Sequence, residues 1–305
     1  EVKVKSDHDV VVVGGGMAGI AAALAARRQE MSVLLLEKTI ILGGLATNGL
    51  VVLYNPALCD MNNKQLVKGI AAELRDLSVK YSYGRIPNTW KRFTNTYYNP
   101  SAFALAAEEL LVSEGVEILY DAAFSKPVMD GKLCKGVIIE GKAGREYYGA
   151  KVVVDTTGDC DVLYRANCAC EESDNWVNYW ALSTGFDAME HAKETSNNIE
   201  DGIKLVRLGA MQDGENQPDG VPQYACKDPK NITEFVMQGR KLCVERMKKL
   251  DKTKEAIVTI PGIPQIRDTR RLIGLYNLTT ADRNKQFEDS IGCPAEEVAS
   301  TNILE

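Results

Sequence analysis

Histidine is nearly absent. His8 and His191 are the two histidines in 305 residues, so a zinc site has few imidazole ligands to draw on and no metal centre is expected. A histidine proton relay is not expected either. Acid–base work would fall to Tyr, to Asp or Glu, or to water held by Arg. Positive charge is in deficit. Lys and Arg total 36 against 42 Asp and Glu, a net charge of −6, which argues against nucleic acid and membrane surfaces as partners, since both favour a basic face. No apolar run approaches the roughly 18–20 residues that span a bilayer. No basic segment followed by an apolar stretch opens the chain as a secretory signal would. The expected location is cytoplasmic; because the chain opens on Glu1 rather than Met, an upstream leader, and with it export, stays open.

A disulfide framework is also missing. The cysteines are Cys59, Cys134, Cys160, Cys168, Cys170, Cys226, Cys243 and Cys293, scattered over a chain too long to need stapling. Reduced, partly buried thiols are expected. The close pair Cys168-Ala-Cys170 lacks the CxxC spacing of disulfide oxidoreductases and reads as two ordinary thiols, with a strained redox pair as the alternative. Internal repeats and low-complexity tracts are absent as well. What remains is 45% hydrophobic and 26% charged, a globular composition with length enough for two domains.

The first pattern along the chain is a buried parallel strand at residues 9–13, an Asp followed by four β-branched, apolar valines. A glycine-rich turn follows, then an Ala- and Leu-rich helix over 17–29, then a second buried strand over 33–36 that ends at Glu37. An amphipathic helix is predicted over 64–80. Residues 81–100 are aromatic and polar and read as irregular, either lining a pocket or packing domains together. Ser101 is the expected N-cap of a helix over 102–114 that Gly115 stops. A strand over 116–120, short alternating strands over 123–148 in the manner of a β-meander and a buried strand over 151–155 come next. Beyond residue 166 the chain turns more polar, with helical stretches near 190–209 and 231–250 and a loop at Pro261-Gly-Ile-Pro264. His8 reads as a solvated residue ahead of the first strand and His191 as exposed.

The turn Gly14-Gly15-Gly16-Met17-Ala18-Gly19 sits where a dinucleotide-binding fingerprint belongs. Gly14 would allow the tight exit from the strand, Gly16 the approach of a pyrophosphate, and Gly19 close packing of helix on strand. The helix start, including Met17 and Ala18, would offer N–H groups and a positive dipole end to phosphate. Glu37 lies about 20 residues after Gly16, where an acceptor for ribose hydroxyls is expected, and Lys38 follows it. Such a motif alone fits NAD and FAD equally. The second pair Gly43-Gly44, just past the acid, predicts another close backbone approach and favours FAD.

These segments resemble the FAD-dependent oxidoreductase family within the glutathione-reductase-like FAD superfamily. Gly43-Gly44-Leu-Ala46-Thr47-Asn-Gly49-Leu-Val is similar to its "GGxATxGLV" stretch, and Val153-Val-Asp155-Thr156-Thr157-Gly158-Asp159-Cys160-Asp161 to its "IDATGDGD" motif. Ile266-Arg267-Asp268-Thr269-Arg270-Arg271 is similar to its "RETRR" segment, and Asp289-Ser290-Ile291 also fits. The resemblance implies FAD as cofactor, with Gly14, Gly16, Met17, Ala18, Gly19, Glu37, Lys38, Gly43, Gly44, Ala46, Thr47, Thr157, Gly158 and Asp159 around it. It further implies that the loop near Ala123 and Phe124 meets the adenine through its backbone. It also implies a later Gly-rich segment touching the flavin ring, which Cys293–Glu305 do not match.

The expected fold class is therefore α/β, a Rossmann-like FAD-binding domain with a β-meander, plus an inserted α+β cap or substrate domain. The expected boundaries are 1–165 for the FAD-binding domain, with an excursion at about 56–99, then 166–292 for the cap and 293–305 for a tail. The expected function is two-electron oxidation or reduction of a small organic substrate. A flavoprotein without net redox, such as an isomerase or modification enzyme, and a truncated FAD-binding module without catalysis are the alternatives. Arg267, Arg270 and Arg271 are candidates for a carboxylate clamp, because guanidinium forks bind carboxylates bidentately. If that segment is helical, Arg267 would share a face with Arg270 or Arg271; a salt-bridged surface is the other reading. Tyr54 and Cys59 are candidates near the flavin, with packing favoured. A small-molecule substrate is the expected partner, and self-association stays open.

Overall fold

The computed structural model describes residues 2–54, 65, 67–81, 96–211, 213–277, 279–282 and 288. Its first half is built on a six-stranded sheet. Strand β1 (Lys3–Val13) leads into helix α1 (Met17–Arg27) and strand β2 (Val33–Leu36). After the short strand β3 (Leu53–Tyr54), helix α2 (Ile70–Leu77) and the short strand β4 (Thr96–Tyr97), helix α3 (Pro100–Ser113) returns the chain to strand β5 (Glu117–Leu119). Strands β6 (Ala123–Asp130), β7 (Leu133–Gly141) and β8 (Gly144–Asp155) form the meander. The sheet order is β5-β2-β1-β8-β7-β6, with β5, β2, β1 and β8 parallel and the meander pairs antiparallel.

Alternation along β1 supplies both faces of the core, because successive side chains point to opposite sides of a strand. Val10 and Val12 pack with Ile20 and Leu24 of α1 and Phe103 and Leu111 of α3. Val11 and Val13 pack with Leu34, Leu36, Val137 and Ile139 on the other face.

Several sequence expectations are corrected here. β1 begins at Lys3 rather than residue 9, since its polar start pairs with the meander, Lys3 opposite Glu146 and His8 opposite Ala150. His8 is consequently not a solvated end; its side chain is 8% exposed and bonded to Glu117 at 3.1 Å. The last meander strand and the strand expected over 151–155 are one continuous strand, β8, and residues 151–155 are exposed or half-buried instead of buried. The N-cap of α3 is Asn99, not Ser101: its side chain accepts from the N–H groups of Ser101 and Ala102 at 3.0 and 3.3 Å, with Pro100 at the first helical position. Described residues of the 64–80 region give a helix only from Ile70, after Gly69. Of the aromatic run, Tyr83, Trp90 and Phe93 lie outside the described residues, while residues 96–97 pair as β4 with β3.

Past β8, helix α4 (Asp161–Arg165) and strand β9 (Cys170–Glu172) precede strand β10 (Asn178–Gly185) and helix α5 (Phe186–Thr195). Strand β11 (Ile203–Gly209), helix α6 (Pro229–Lys249), strand β12 (Glu255–Thr259) and strand β13 (Arg270–Leu272) follow. The helical reading of 190–209 holds only to Thr195. Residues 203–209 pair antiparallel with β10 over their whole length, and this tertiary pairing overrides local helix preference. β11, β10 and β12 make a separate antiparallel sheet, on which α6 packs through Tyr179, Ala181 and Cys243. α6 itself starts at Pro229, close to the expected position, and is capped by Asp228, whose side chain accepts from Lys230 and Asn231 N–H at 3.0 Å each. Among the described residues, no helix is long and apolar enough to cross a membrane.

Candidate functional site

The carboxyl ends of the parallel strands β1, β2 and β8 converge on the glycine turn. Gly14 has φ +109°, and a Cβ there would lie 2.4 Å from the Thr156 carbonyl oxygen, so both conformation and space demand glycine. Gly19 is a matter of space alone: a Cβ would lie 1.8 Å from the Gly14 carbonyl oxygen, which is how closely α1 seats on the strand. Gly16 differs. Nothing stands within 4 Å of its Cβ position, so the absent side chain leaves open space at the mouth of the turn. Gly16 is also the N-cap of α1, with no side-chain cap and no acid in the first turn. The N–H groups of that turn and their dipole end therefore have no side-chain cap and no acid in their own turn. Met17 is half-buried there and Ala18 exposed.

Glu37 closes one side. It is buried, its Oε2 accepts from Gly15 N–H at 2.7 Å and its Oε1 from Thr39 N–H at 2.7 Å. Each carboxylate oxygen retains a second lone pair, so the group can hold the turn and still accept from a hydroxyl. Lys38 beside it is exposed. The second glycine pair stacks on the first turn: Gly43 N–H donates to the Gly15 carbonyl at 2.8 Å, and a Cβ on Gly44 would lie 3.2 Å from Gly16 Cα. Thr47 is buried, its hydroxyl on the Leu42 carbonyl. The Ala46 carbonyl accepts from the Tyr98 hydroxyl at 2.9 Å.

The turn after β8 lies beside the glycine turn and is braced by side chains. The Thr156 hydroxyl reaches the carbonyls of Val13 and Gly14 at 2.9 and 2.8 Å. One Asp155 oxygen accepts from the Thr157 N–H and hydroxyl at 3.1 and 2.7 Å; the other accepts from Val162 and Leu163 N–H at 2.9 and 3.0 Å. Asp155 thereby caps α4 from six residues upstream of its first residue. The Thr157 hydroxyl accepts in turn from Asp159 and Asp161 N–H. Gly158 faces open space, with nothing within 4 Å of its Cβ position. The Asp159 carboxylate accepts from the Thr269 hydroxyl at 2.7 Å. Burial is the leading cause that raises the Asp159 carboxyl above the usual carboxylate range; the Thr269 bond opposes it and the neighbouring Asp161 adds to it.

The other candidate residues are dispersed. Residues 270–272 form strand β13 opposite β9, not a helix, so Arg270 and Arg271 point to opposite sides. Arg270 is buried; its Nη1 donates to the Asp159 carbonyl at 3.2 Å and to Asp161 Oδ1 at 2.9 Å, and its guanidinium lies 4.2 Å from the Tyr164 ring centroid. Arg271 donates through Nε to Glu171 at 2.8 Å. Arg267 is exposed, its N–H on the Asn175 side chain at 2.9 Å. Tyr54 packs against Tyr98 with centroids 5.0 Å apart, and burial is the leading cause raising its phenol. Phe124 sits in β6 opposite Ile139, and its carbonyl accepts from Arg165 at 3.2 Å. Ala122 N–H donates to the Glu37 carbonyl at 3.1 Å, which brings this segment to the site. Cys168 and Cys170 are free thiols, and burial is the leading cause raising the Cys170 thiol. His191 is exposed. Cys59 and Asp289-Ser290-Ile291 lie outside the described residues.

Sequence reading passed over Asp155, Thr269, Asn175 and Gln265. Asn175 is buried, accepts from Arg267 and Asp268 N–H and donates to the Asp268 carbonyl at 2.6 Å. Gln265 donates to the carbonyls of Gly49 and Trp180 at 2.5 and 3.2 Å and accepts from Trp180 N–H at 2.7 Å. For Asp155 a signal existed, an acid closing a buried strand just before Thr-Thr-Gly. Asn175 and Gln265 bond across more than 80 residues and leave no local trace.

A family model described as FAD dependent oxidoreductase matches residues 9–227. No curated protein matches the chain. Among solved structures, p-nitrophenol 4-monooxygenase from Pseudomonas putida is 15% identical, over 84% of this chain and 66% of that one, with a TM-score of 0.50. A myxobacterial chondrochloren halogenase, described as a variant of FAD-dependent halogenases, is 21% identical over 59% and 44%, with a TM-score of 0.43. A geranylgeranyl bacteriochlorophyll reductase-like protein from Thermoplasma acidophilum is 17% identical over 60% and 47%, with a TM-score of 0.42. The chain thus spans less than half the length of the halogenase and the reductase-like protein, and about two thirds of the monooxygenase. At such identities the likeness is one of fold.

Proposed function

This chain belongs to the FAD dependent oxidoreductase family, and on that premise we propose that it is an enzyme that holds FAD at the glycine turn for two-electron redox on a small organic substrate. The observation that carries the reading is the uncapped start of α1 beside the open Cβ position of Gly16. That arrangement suits a pyrophosphate, which needs outward N–H groups and close backbone approach. Glu37 is placed to accept from a ribose hydroxyl while it braces Gly15. Gly43 and Gly44, stacked on the same turn, leave the cofactor a glycine surface on two sides. Bound FAD supplies the electron acceptor; the chain supplies position, electrostatics and exclusion of water.

Of the three arginines, Arg267 is the exposed one and is the candidate for a substrate carboxylate, whereas Arg270 is buried. The glutathione-reductase-like lineage and a cap formed by residues 166–292 belong to the same proposal. The test is a visible spectrum of the purified protein followed by anaerobic reduction with hydroxy acids, amines, sugars and NAD(P)H. Flavin bands that bleach with one of these donors support the reading. A colourless protein that takes up no added FAD overturns it, and flavin that turnover requires but no donor reduces would point to chemistry without net redox.

A further inference from the structure

The turn that follows β8 is braced from inside by Asp155 and Thr157. Its outer side is held by residues more than 100 positions downstream. The Thr269 hydroxyl donates to Asp159 Oδ1 at 2.7 Å, and Arg270 Nη1 donates to the Asp159 carbonyl and to Asp161 Oδ1 at 3.2 and 2.9 Å. The guanidinium face rests on Tyr164 of α4 at 4.2 Å, a contact that adds to its hold on the helix. These two residues are themselves fixed. Asn175 bonds the backbone of Arg267 and Asp268, Ser173 N–H donates to the Thr269 carbonyl at 3.1 Å, and β13 pairs with β9. The residue they grip directly follows Gly158, whose Cβ side is open.

We infer that Thr269 and Arg270 are positioning residues that latch the 157–161 turn in its cofactor-ready form, so that FAD affinity depends on the docking of the β9–β13 pair. The inference rests on the proposal that this site holds FAD. It reassigns Arg270: a guanidinium buried against Asp161 and the Tyr164 ring, with Nη1 on the Asp159 carbonyl and Asp161 and Nε buried without a partner, braces the turn and is not exposed as a clamp for a substrate carboxylate. It also gives the region after residue 166 a role besides covering a substrate, since one of its strands completes the cofactor site.

The test is the dissociation constant for FAD, titrated into FAD-stripped full-length protein and read by flavin fluorescence, alongside the thermal midpoint of each FAD-free variant. Arg270→Gln is expected to weaken FAD roughly tenfold or more, the scale of a lost charge-assisted bond. Thr269→Val is expected to weaken it several-fold, and Thr269→Ser, which restores the hydroxyl, to return it to the wild-type value. Lys227→Gln breaks a different ion pair, made to Glu172 of the paired strand β9, and is expected to leave FAD affinity unchanged. Unchanged affinity in both Arg270→Gln and Thr269→Val overturns the latch, as does an equal loss in Lys227→Gln, which would make the effect one of strand stability. Should Arg270→Gln not fold, the Thr269→Val and Thr269→Ser pair decides. A wild-type chain that takes up no FAD overturns the function reading and the latch together.

Discussion

Two strand-to-helix turns stand side by side at the ends of β1 and β8, and they solve the same problem in opposite ways. Each must satisfy the N–H groups at a helix start. At α4 the chain does so itself, with Asp155 accepting from Val162 and Leu163. At α1 it does not: Gly16 offers no side chain, no acid sits in the first turn, and the Glu37 carboxylate accepts from Gly15 instead. A helix start closed by its own carboxylate is a structural joint. One left open beside a glycine with empty space at its Cβ position is, on the proposed reading, where an outside anion docks.

The contrast can be broken most severely at Gly19. Gly19→Ala would bring a Cβ to 1.8 Å of the Gly14 carbonyl and must lift α1 from its strand. A loss of about 3 kcal/mol in unfolding free energy is expected from such overpacking, measured by urea denaturation without FAD; a midpoint like that of the wild type would refute the packing role. Opening the closed turn comes next. Asp155→Ala removes the acceptor of four hydrogen bonds and is expected to cost about 2–3 kcal/mol, the scale of donors left unsatisfied, in the same measurement.

Gly16→Ala sharpens the comparison from the other side. Gly16 has φ −70° and nothing within 4 Å of its Cβ position, so alanine fits the fold. Unfolding free energy should change by less than about 0.5 kcal/mol, while FAD affinity falls roughly tenfold because the methyl group enters the cofactor's space. Loss of stability without loss of affinity would reverse the assignment. The smallest effect is a pH dependence at Asp159. Its folded-state carboxyl is raised above the ordinary 3.8, so the folded form favours the proton, and ionisation costs stability as pH rises from near that value. Asp159→Asn, which keeps an acceptor for Thr269, should gain stability over the wild type at pH 7 and show no gain at pH 3. An equal difference at both pH values would exclude the ionisation as its cause.

Much of the first half was legible in the sequence because its signals are local. Four consecutive valines ending on Gly14 read as a buried strand and turn, and Val33–Leu36 as its neighbour, since runs of β-branched and apolar residues bounded by glycine have few other solutions. Helix α6 was also legible, as a helical stretch near 231–250, although its cap Asp228 and the Pro229 at its start emerge only in the structure. Strand β11 was not, because Ile203–Gly209 becomes a strand only through its partner β10. The arginine segment was the harder case. Arg267, Arg270 and Arg271 are adjacent in sequence, yet strand geometry sends Arg270 inward to Asp161 and Arg271 to Glu171.

The sequence by itself determined the glycine turn and the acid that follows it. Each of these depends on backbone sterics or on spacing within about 20 residues, which a chain carries wherever it folds. Only the tertiary structure decided which helix start stays open, which carboxylate is spent as a cap, and that Thr269 and Arg270 grip Asp159. Those outcomes depend on hydrogen bonds between residues more than 100 positions apart, where the direction of a side chain is set by the packing of whole elements and not by its neighbours in the chain.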